Sequence, residues 1–286
     1  MSAELSATAT VEEILSKKSV IELRELARSF YVKGSSKMRK VELISEVKAA
    51  LMIPERLEEL LYVLDSAAWQ TFRKAAESSE PVKLNLTESR WYQILHGLCY
   101  LHFITGNRSL SCNVPPEIRT VYDSLVTDGL IQRKKHYDQL HLYAEAAANL
   151  YGVISQDDFV ALFNSQNEDK TSKEELFDAL IRHIVVDAGY CFWDKYIVDI
   201  GFEDNGFADV SDLLAQIGDK PRYIPEKKEF LKYADWRYFE HNEHSRNLED
   251  YLIHACGVAP LLVPKIVTEL HESCMLCLLY TSDAAD

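Results

Sequence analysis

Apolar residues recur at helical spacing in two neighbouring stretches near the N-terminus. Leu23, Leu26, Ala27 and Phe30 stand at i, i+3, i+4 and i+7, and Val41, Leu43, Ile44, Val47 and Leu51 form a second stripe. Ser19 followed by Glu22 predicts a capping box, in which hydroxyl and carboxylate each satisfy an orphan backbone N–H. Tyr31 to Ser36 breaks the period, and Gly34 supplies the backbone freedom for a tight connection. Ser35 or Ser36 can cap the second helix. Two short helices with facing stripes bury each other, so Leu15 to Met52 reads as a helix–loop–helix unit. The preceding Met1 to Ser16 begins as a polar arm that need not be ordered.

Beyond Pro54 the pattern predicts two helices, Glu55–Leu64 and Ala67–Ala76, and a short alternating strand at Val82–Leu86. Thr87 can cap a third helix carrying Trp91, Ile94, Leu95 and Leu98 on one face. Tyr100–Thr105 and Ser109–Val114 flank the turn-forming pair Gly106-Asn107 and read as a hairpin. Helix, helix, strand, helix, hairpin is the order of a winged helix. A helix from Pro116 ends at Gly129. Ile131–Leu142 is an ambiguous basic-aromatic stretch, with Arg133, Lys134, Lys135 and His136 read as a solvated turn or a second phosphate contact. Tyr143–Tyr151 is helical and closes at Gly152.

The remainder reads as helical. Ser155 with Asp158 and Ser172 with Glu175 mark helix starts. Tyr190–Ile200 fits a strand or a buried aromatic helix. Ser211–Ile217, a helix from Pro225, Leu248–Cys256 and Pro264–Met275 follow. The fold class is therefore mainly α. The expected domains are a basic helix–extended loop–helix module (1–53), a winged-helix-like middle (54–152) with a small hairpin, and a helical C-terminal domain (153–276).

Charge then separates the first unit from everything else. Leu15–Met52 holds nine Lys or Arg and four Glu, a net +5 within a chain of −14, so the remainder carries −19. Lys37, Arg39 and Lys40 cluster where the second helix begins, beside backbone N–H groups that favour anions. A phosphate placed there meets a helix N-terminus and mobile cations together. An acidic protein with one basic end touches nucleic acid mainly through that end.

SVIELRELARSF, a Gly-containing connection and KMRKVELISEV resemble the Rho termination factor N-terminal domain and the related SAP module. The resemblance implies a small helix–extended loop–helix unit associated with nucleic acid, and places binding on Lys33, Ser36, Lys37, Arg39 and Lys40. The chain departs from the Rho pattern in having no GxxxxGK[ST] loop, so an ATP-driven motor is not implied. The span from LYGVISQDDFVALFNSQN to PRYIPEKKEFLKYADWRYFE is similar to uncharacterised bacterial proteins in which a Rho-like module precedes a helical body. CLLYTSDAAD, from Cys277 to Asp286, resembles translated sequencing-adapter read-through and is left out of the fold reasoning, with a native C-terminus expected to be missing.

Candidate chemistry elsewhere is sparse. Cys274 and Cys277 form a CxxC, but one pair does not complete a tetrahedral zinc site. His241 and His244 lack the HExxH spacing and read as a polar loop. Asp187, Asp194, Asp199, Asp204, Asp209 and Asp212 fit no nuclease motif. Tyr223, Tyr233, Trp236, Tyr238 and Phe239 read as core. Scattered cysteines suggest reduced thiols in a cytosol, and no apolar run has the length of a membrane span. The expectation is a cytoplasmic, non-catalytic nucleic-acid-binding protein with no metal and no cofactor, acting on RNA or DNA; the Rho resemblance suggests transcription regulation or termination as its setting, which the residues themselves leave open. Its acidic body would meet a protein partner. The alternative is a protein-interaction adaptor whose basic module docks on an acidic partner.

Overall fold

The computed structural model describes residues 6, 8–106, 109–218 and 220–270. Asn107 of the expected hairpin turn, Cys274, Cys277 and the 277–286 tail lie outside the described residues. The chain is mainly helical, with two small antiparallel sheets of three strands. It divides into two compact units, Met1–Lys135 and His136–Asp286.

Unit one opens with a helix in the stretch expected to be an arm. Helix α1 (Val11–Lys17) is started by Thr10, whose side chain accepts from Glu13 N while the Glu13 carboxylate accepts from Thr10 N. Val11 and Leu15 are fully buried. The Thr-x-x-Glu signature was legible, but the polar residues before it masked a helix of only seven residues. Helices α2 (Val20–Ser29) and α3 (Lys40–Leu51) follow, and the Ser19–Glu22 capping box forms as the pattern predicts. Leu23 and Ala27 on α2, and Leu43, Val47 and Leu51 on α3, are fully buried and make the seam between them.

The next elements come in the expected order of helix, helix, strand, helix and hairpin. They are α4 (Pro54–Tyr62), α5 (Ser66–Glu77), β1 (Val82–Leu84), α6 (Trp91–Gly97), β2 (His102–Thr105) and β3 (Leu110–Asn113). The strands stand in the order β1-β3-β2, with Val82 opposite Cys112 and His102 opposite Asn113. Helix α6 starts at Trp91 rather than after Thr87, because the Ser89 hydroxyl accepts from Trp91 N at 3.0 Å while Thr87 stays in a turn on Asn85. Helix α7 (Pro116–Thr127) closes the unit, and α1 reaches it directly: Val11 N donates to Glu117 Oε2 at 3.1 Å. Phe30 meets Tyr100 edge-on with centroids 6.2 Å apart, so the end of α2 packs on the segment between α6 and β2.

Arg133 to His136 is helix, not turn. It lies in α8 (Leu130–Tyr151), a helix of 22 residues that replaces the ambiguous stretch and the short Ala-rich helix of the sequence reading. Lys134 is 1% exposed and donates to Leu64 O at 2.9 Å. Arg133 donates to Tyr62 Oη at 2.7 Å and to Glu58 at 2.6 Å. Both cations bond to residues of unit one, Lys134 in its interior and Arg133 at its half-exposed edge.

Unit two surrounds the later turns of α8, where Tyr143, Ala144, Ala146, Ala147 and Ala148 are all buried. Its elements are β4 (Val153–Ser155), α9 (Gln156–Gln166), α10 (Lys173–Asp187), β5 (Tyr190–Trp193), β6 (Tyr196–Asp199), α11 (Ala208–Ile217), α12 (Lys227–Phe230) and α13 (Glu243–His254). A further helical segment spans 263–270. The strands pair as β4-β6-β5, so Tyr190–Ile200 is a hairpin, turned at Asp194 with φ 51°. The helix expected from Pro225 is one turn long and begins at Lys227. His244 lies in the first turn of α13, whose N-cap Asn242 accepts from Ser245 N, while His241 precedes the helix. Tyr223 and Trp236 are 63% and 56% exposed, so the aromatic run is only partly core.

Thiol chemistry follows from burial. Cys99, Cys112 and Cys191 are buried, and burial pushes their thiols up to about 11, about 12 and about 11. Cys256 is exposed. A short iodoacetamide pulse at neutral pH is expected to label Cys256 and spare the three buried thiols until denaturant is added, as read by peptide mapping.

Candidate nucleic-acid interface

The expected binding residues sit on the connection between α2 and α3. Helix α2 ends in a pair of bonds that satisfy its last carbonyls: Tyr31 N donates to Arg28 O at 2.9 Å and Val32 N to Ala27 O at 2.7 Å. Gly34, at φ 75°, then turns the chain into a short 3-10 segment, Ser35–Lys37. Neither serine caps α3. Ser35 is buried in the 3-10 turn, and the N-cap is Arg39, whose N–H donates to Glu42 Oε2 at 2.7 Å.

That bond bears on how an anion would be held. The Glu42 carboxylate already occupies part of the electropositive end of α3, so a phosphate gains less from the backbone there than a bare helix start offers. The side-chain cations are the stronger attraction. Lys33, Ser36, Lys37 and Arg39 are exposed. The three cations among them make no ion pair among the described residues. Lys40 is half-buried and donates to Ser16 O at 2.8 Å, tying the loop to the end of α1 while leaving other ammonium hydrogens unassigned.

Other cations of the unit are structural. Lys48 pairs with Glu12 at 3.1 Å and Glu117 at 3.5 Å, and its hydrogen bond to Glu12 raises its pKa. The Glu22 carboxyl is held below its ordinary value, first by the Ser19 hydroxyl and then by the Ser19 N–H. Exposed Arg28, in the last turn of α2, and Tyr31 adjoin the loop, and sequence reasoning assigned neither to the site. The signal for both was their place at the helix end, beside the Gly34 turn.

The arrangement joins two short packed helices through an extended, cation-bearing loop. Residues 15–55 match the Rho termination factor N-terminal domain. The match runs from the end of α1 through α2, the loop and α3 to the first residues of α4, and covers less than half of the chain. No curated protein and no solved structure matches the sequence. The Rho N-terminal module thus coincides with the basic segment, and Lys33, Ser36, Lys37, Arg39 and Lys40 all fall inside it.

The segment from α4 to β3 offers less for phosphate. Arg90 lies over the Trp91 ring at 5.8 Å, and Trp91, Tyr92 and Leu95 on α6 are buried. In unit two, His141 and His183 stack at 3.9 Å, and Glu145, its carboxyl raised by burial, accepts from Gly189 N at 3.0 Å. Among the described residues, no group of three or more His, Cys, Asp or Glu is placed to hold a metal ion, and no helix is long and apolar enough to cross a membrane.

Proposed function

We propose that this chain is a non-catalytic nucleic-acid-binding protein that grips the phosphate backbone of RNA or DNA through its Rho N-terminal module. The observation that carries the reading is the exposed Lys33, Lys37 and Arg39 on the Gly34-turned loop, free of ion pairs among the described residues and inside the matched segment. Ser36 supplies a hydroxyl donor on the same loop, and Lys40 steadies the loop while lending charge. Each neutralised phosphate releases counterions, which favours association at low salt without demanding a base sequence. A loop with so few contacts binds weakly alone, so the acidic body would engage a protein partner or a second contact.

Fluorescence anisotropy with labelled single-stranded RNA, single-stranded DNA and duplex DNA at low salt tests this. Lys33→Ala/Lys37→Ala/Arg39→Ala is expected to lose at least about tenfold in affinity, with its thermal midpoint within a few degrees of wild type because all three side chains are exposed. Equal binding by both proteins would remove the loop from the site. The adaptor reading has one observation in its favour: Ile21 and Val41, on the same module, are 69% and 79% exposed. It predicts binding to an acidic protein with no binding to any of the three nucleic acids.

A further inference from the structure

The residue that ends α2 is unusual for its position. Tyr31 has φ 55°, in the left-handed region where a side chain meets backbone and glycine is the default. It occupies the position after the C-cap Phe30, at which helices closed by this pair of bonds favour Gly. Holding a tyrosine there costs on the order of 1 kcal/mol relative to glycine.

Elsewhere such a residue brings something to the fold. Cys99, at φ 65°, is fully buried. Phe207, also at φ 65°, stacks on Trp193 at 6.2 Å. Asp194 turns the β5–β6 hairpin, where a short polar residue suits the conformation. Tyr31 does neither. It is 86% exposed, and among the described residues its ring makes no aromatic or cation contact. Strain kept without a packing return is found where the side chain serves a ligand. The neighbours indicate the kind of ligand: exposed Arg28 lies three positions before and exposed Lys33 two positions after, with Lys37 and Arg39 beyond the Gly34 turn.

We propose that Tyr31 is a stacking platform for an unpaired nucleobase, and that the module therefore prefers single-stranded nucleic acid to duplex. An exposed aromatic face next to mobile cations is the combination that binds single strands, bases on the ring and phosphates on the cations. In a duplex the base faces are already stacked on one another, so the ring has nothing to receive and only the phosphate contacts remain. The inference rests on the nucleic-acid reading above and adds to it the strandedness of the ligand and a residue that the charge pattern does not reveal.

The test uses the full chain as wild type, Tyr31→Gly, Tyr31→Phe and the Lys33/Lys37/Arg39 triple-alanine variant. Binding is measured to labelled single-stranded oligonucleotides and to duplex DNA of equal length at one low salt concentration. Tyr31→Gly is expected to weaken single-strand binding about 5- to 150-fold and to leave duplex binding unchanged. Tyr31→Phe is expected to bind as wild type. Glycine relieves the left-handed strain, so Tyr31→Gly should melt no lower than wild type, which keeps misfolding from mimicking the result. If Tyr31→Gly binds single strands as wild type does while the triple variant fails, the stacking role is wrong and the phosphate reading stands. An equal loss on single strand and duplex also overturns it. If wild type binds none of the nucleic acids, both readings fall together.

Discussion

Lys134→Ala is expected to destabilise unit one by about 3–5 kcal/mol, while Lys134→Met costs about 1–2 kcal/mol. The lysine is 1% exposed on α8, and its ammonium donates to Leu64 O, just before the Asp65 that caps α5. Two costs add when it is replaced by alanine. Losing the donor leaves a buried carbonyl short of a partner, at about 1–3 kcal/mol, but removing a buried charge recovers desolvation free energy and offsets part of that. Losing the four-carbon stem leaves a cavity, for which a Leu-to-Ala change in a core is the nearest measure, at about 2–5 kcal/mol. Methionine keeps the stem and suffers only the first effect. Hydrogen exchange of Pro54–Glu77 across a urea series measures both variants. Equal losses for Met and Ala would make the ammonium, not the packing, decisive.

Tyr143→Ala is expected to cost unit two about 3–5 kcal/mol. Tyr143 is fully buried on α8, its ring 4.9 Å from Phe163 and 5.1 Å from Phe230 between centroids, and its hydroxyl donates to Gln166 at 2.9 Å. The truncation removes a ring that two aromatic neighbours pack against, so the site cannot collapse without moving α9 and α12. Tyr143→Phe loses one hydrogen bond and should cost only about 1 kcal/mol. Amide exchange of Gln156–Gln166 reports the difference. A Phe variant as unstable as the Ala variant would place the weight on the hydroxyl instead.

The module was legible because its helices are short, capped and one-sided. Ser19 with Glu22 and the stripe Leu23, Leu26, Ala27, Phe30 describe a helix with one buried face, and local rules suffice for such a case. Helix α8 was not legible for the opposite reason. Tyr143, Ala144, Ala146, Ala147 and Ala148 are buried while the apolar Leu142 is exposed, so the pattern sets no clear period, and a buried Lys134 counts as polar in any sequence pattern. The β5–β6 hairpin lacked an Asn-Gly or Asp-Gly turn, since its positive-φ residue is Asp194 followed by Lys195.

The candidate site divides the same way. Spacing and charge marked Lys33, Lys37, Arg39 and Lys40 in advance. That Lys40 reaches Ser16 O, that Glu42 sits on the Arg39 N–H, and that Lys48 is taken by Glu12 and Glu117 are matters of tertiary geometry. Composition counts all these cations alike, whereas the fold sorts them into those bonded internally and those free to meet a ligand. Tyr31 escaped notice because a lone aromatic beside a glycine turn reads as a helix terminus, and its exposure and left-handed backbone appear only in the structure.

If the exposed loop cations contact phosphates, the salt dependence of binding counts those contacts. Titrating salt against single-stranded RNA should give log affinity falling with log salt at a slope of about −2 to −3.5 for wild type, and a slope reduced in magnitude by about 2 in Lys33→Ala/Lys37→Ala/Arg39→Ala. Binding that ignores salt, or a triple variant with the wild-type slope, would mean that these cations do not contact phosphate.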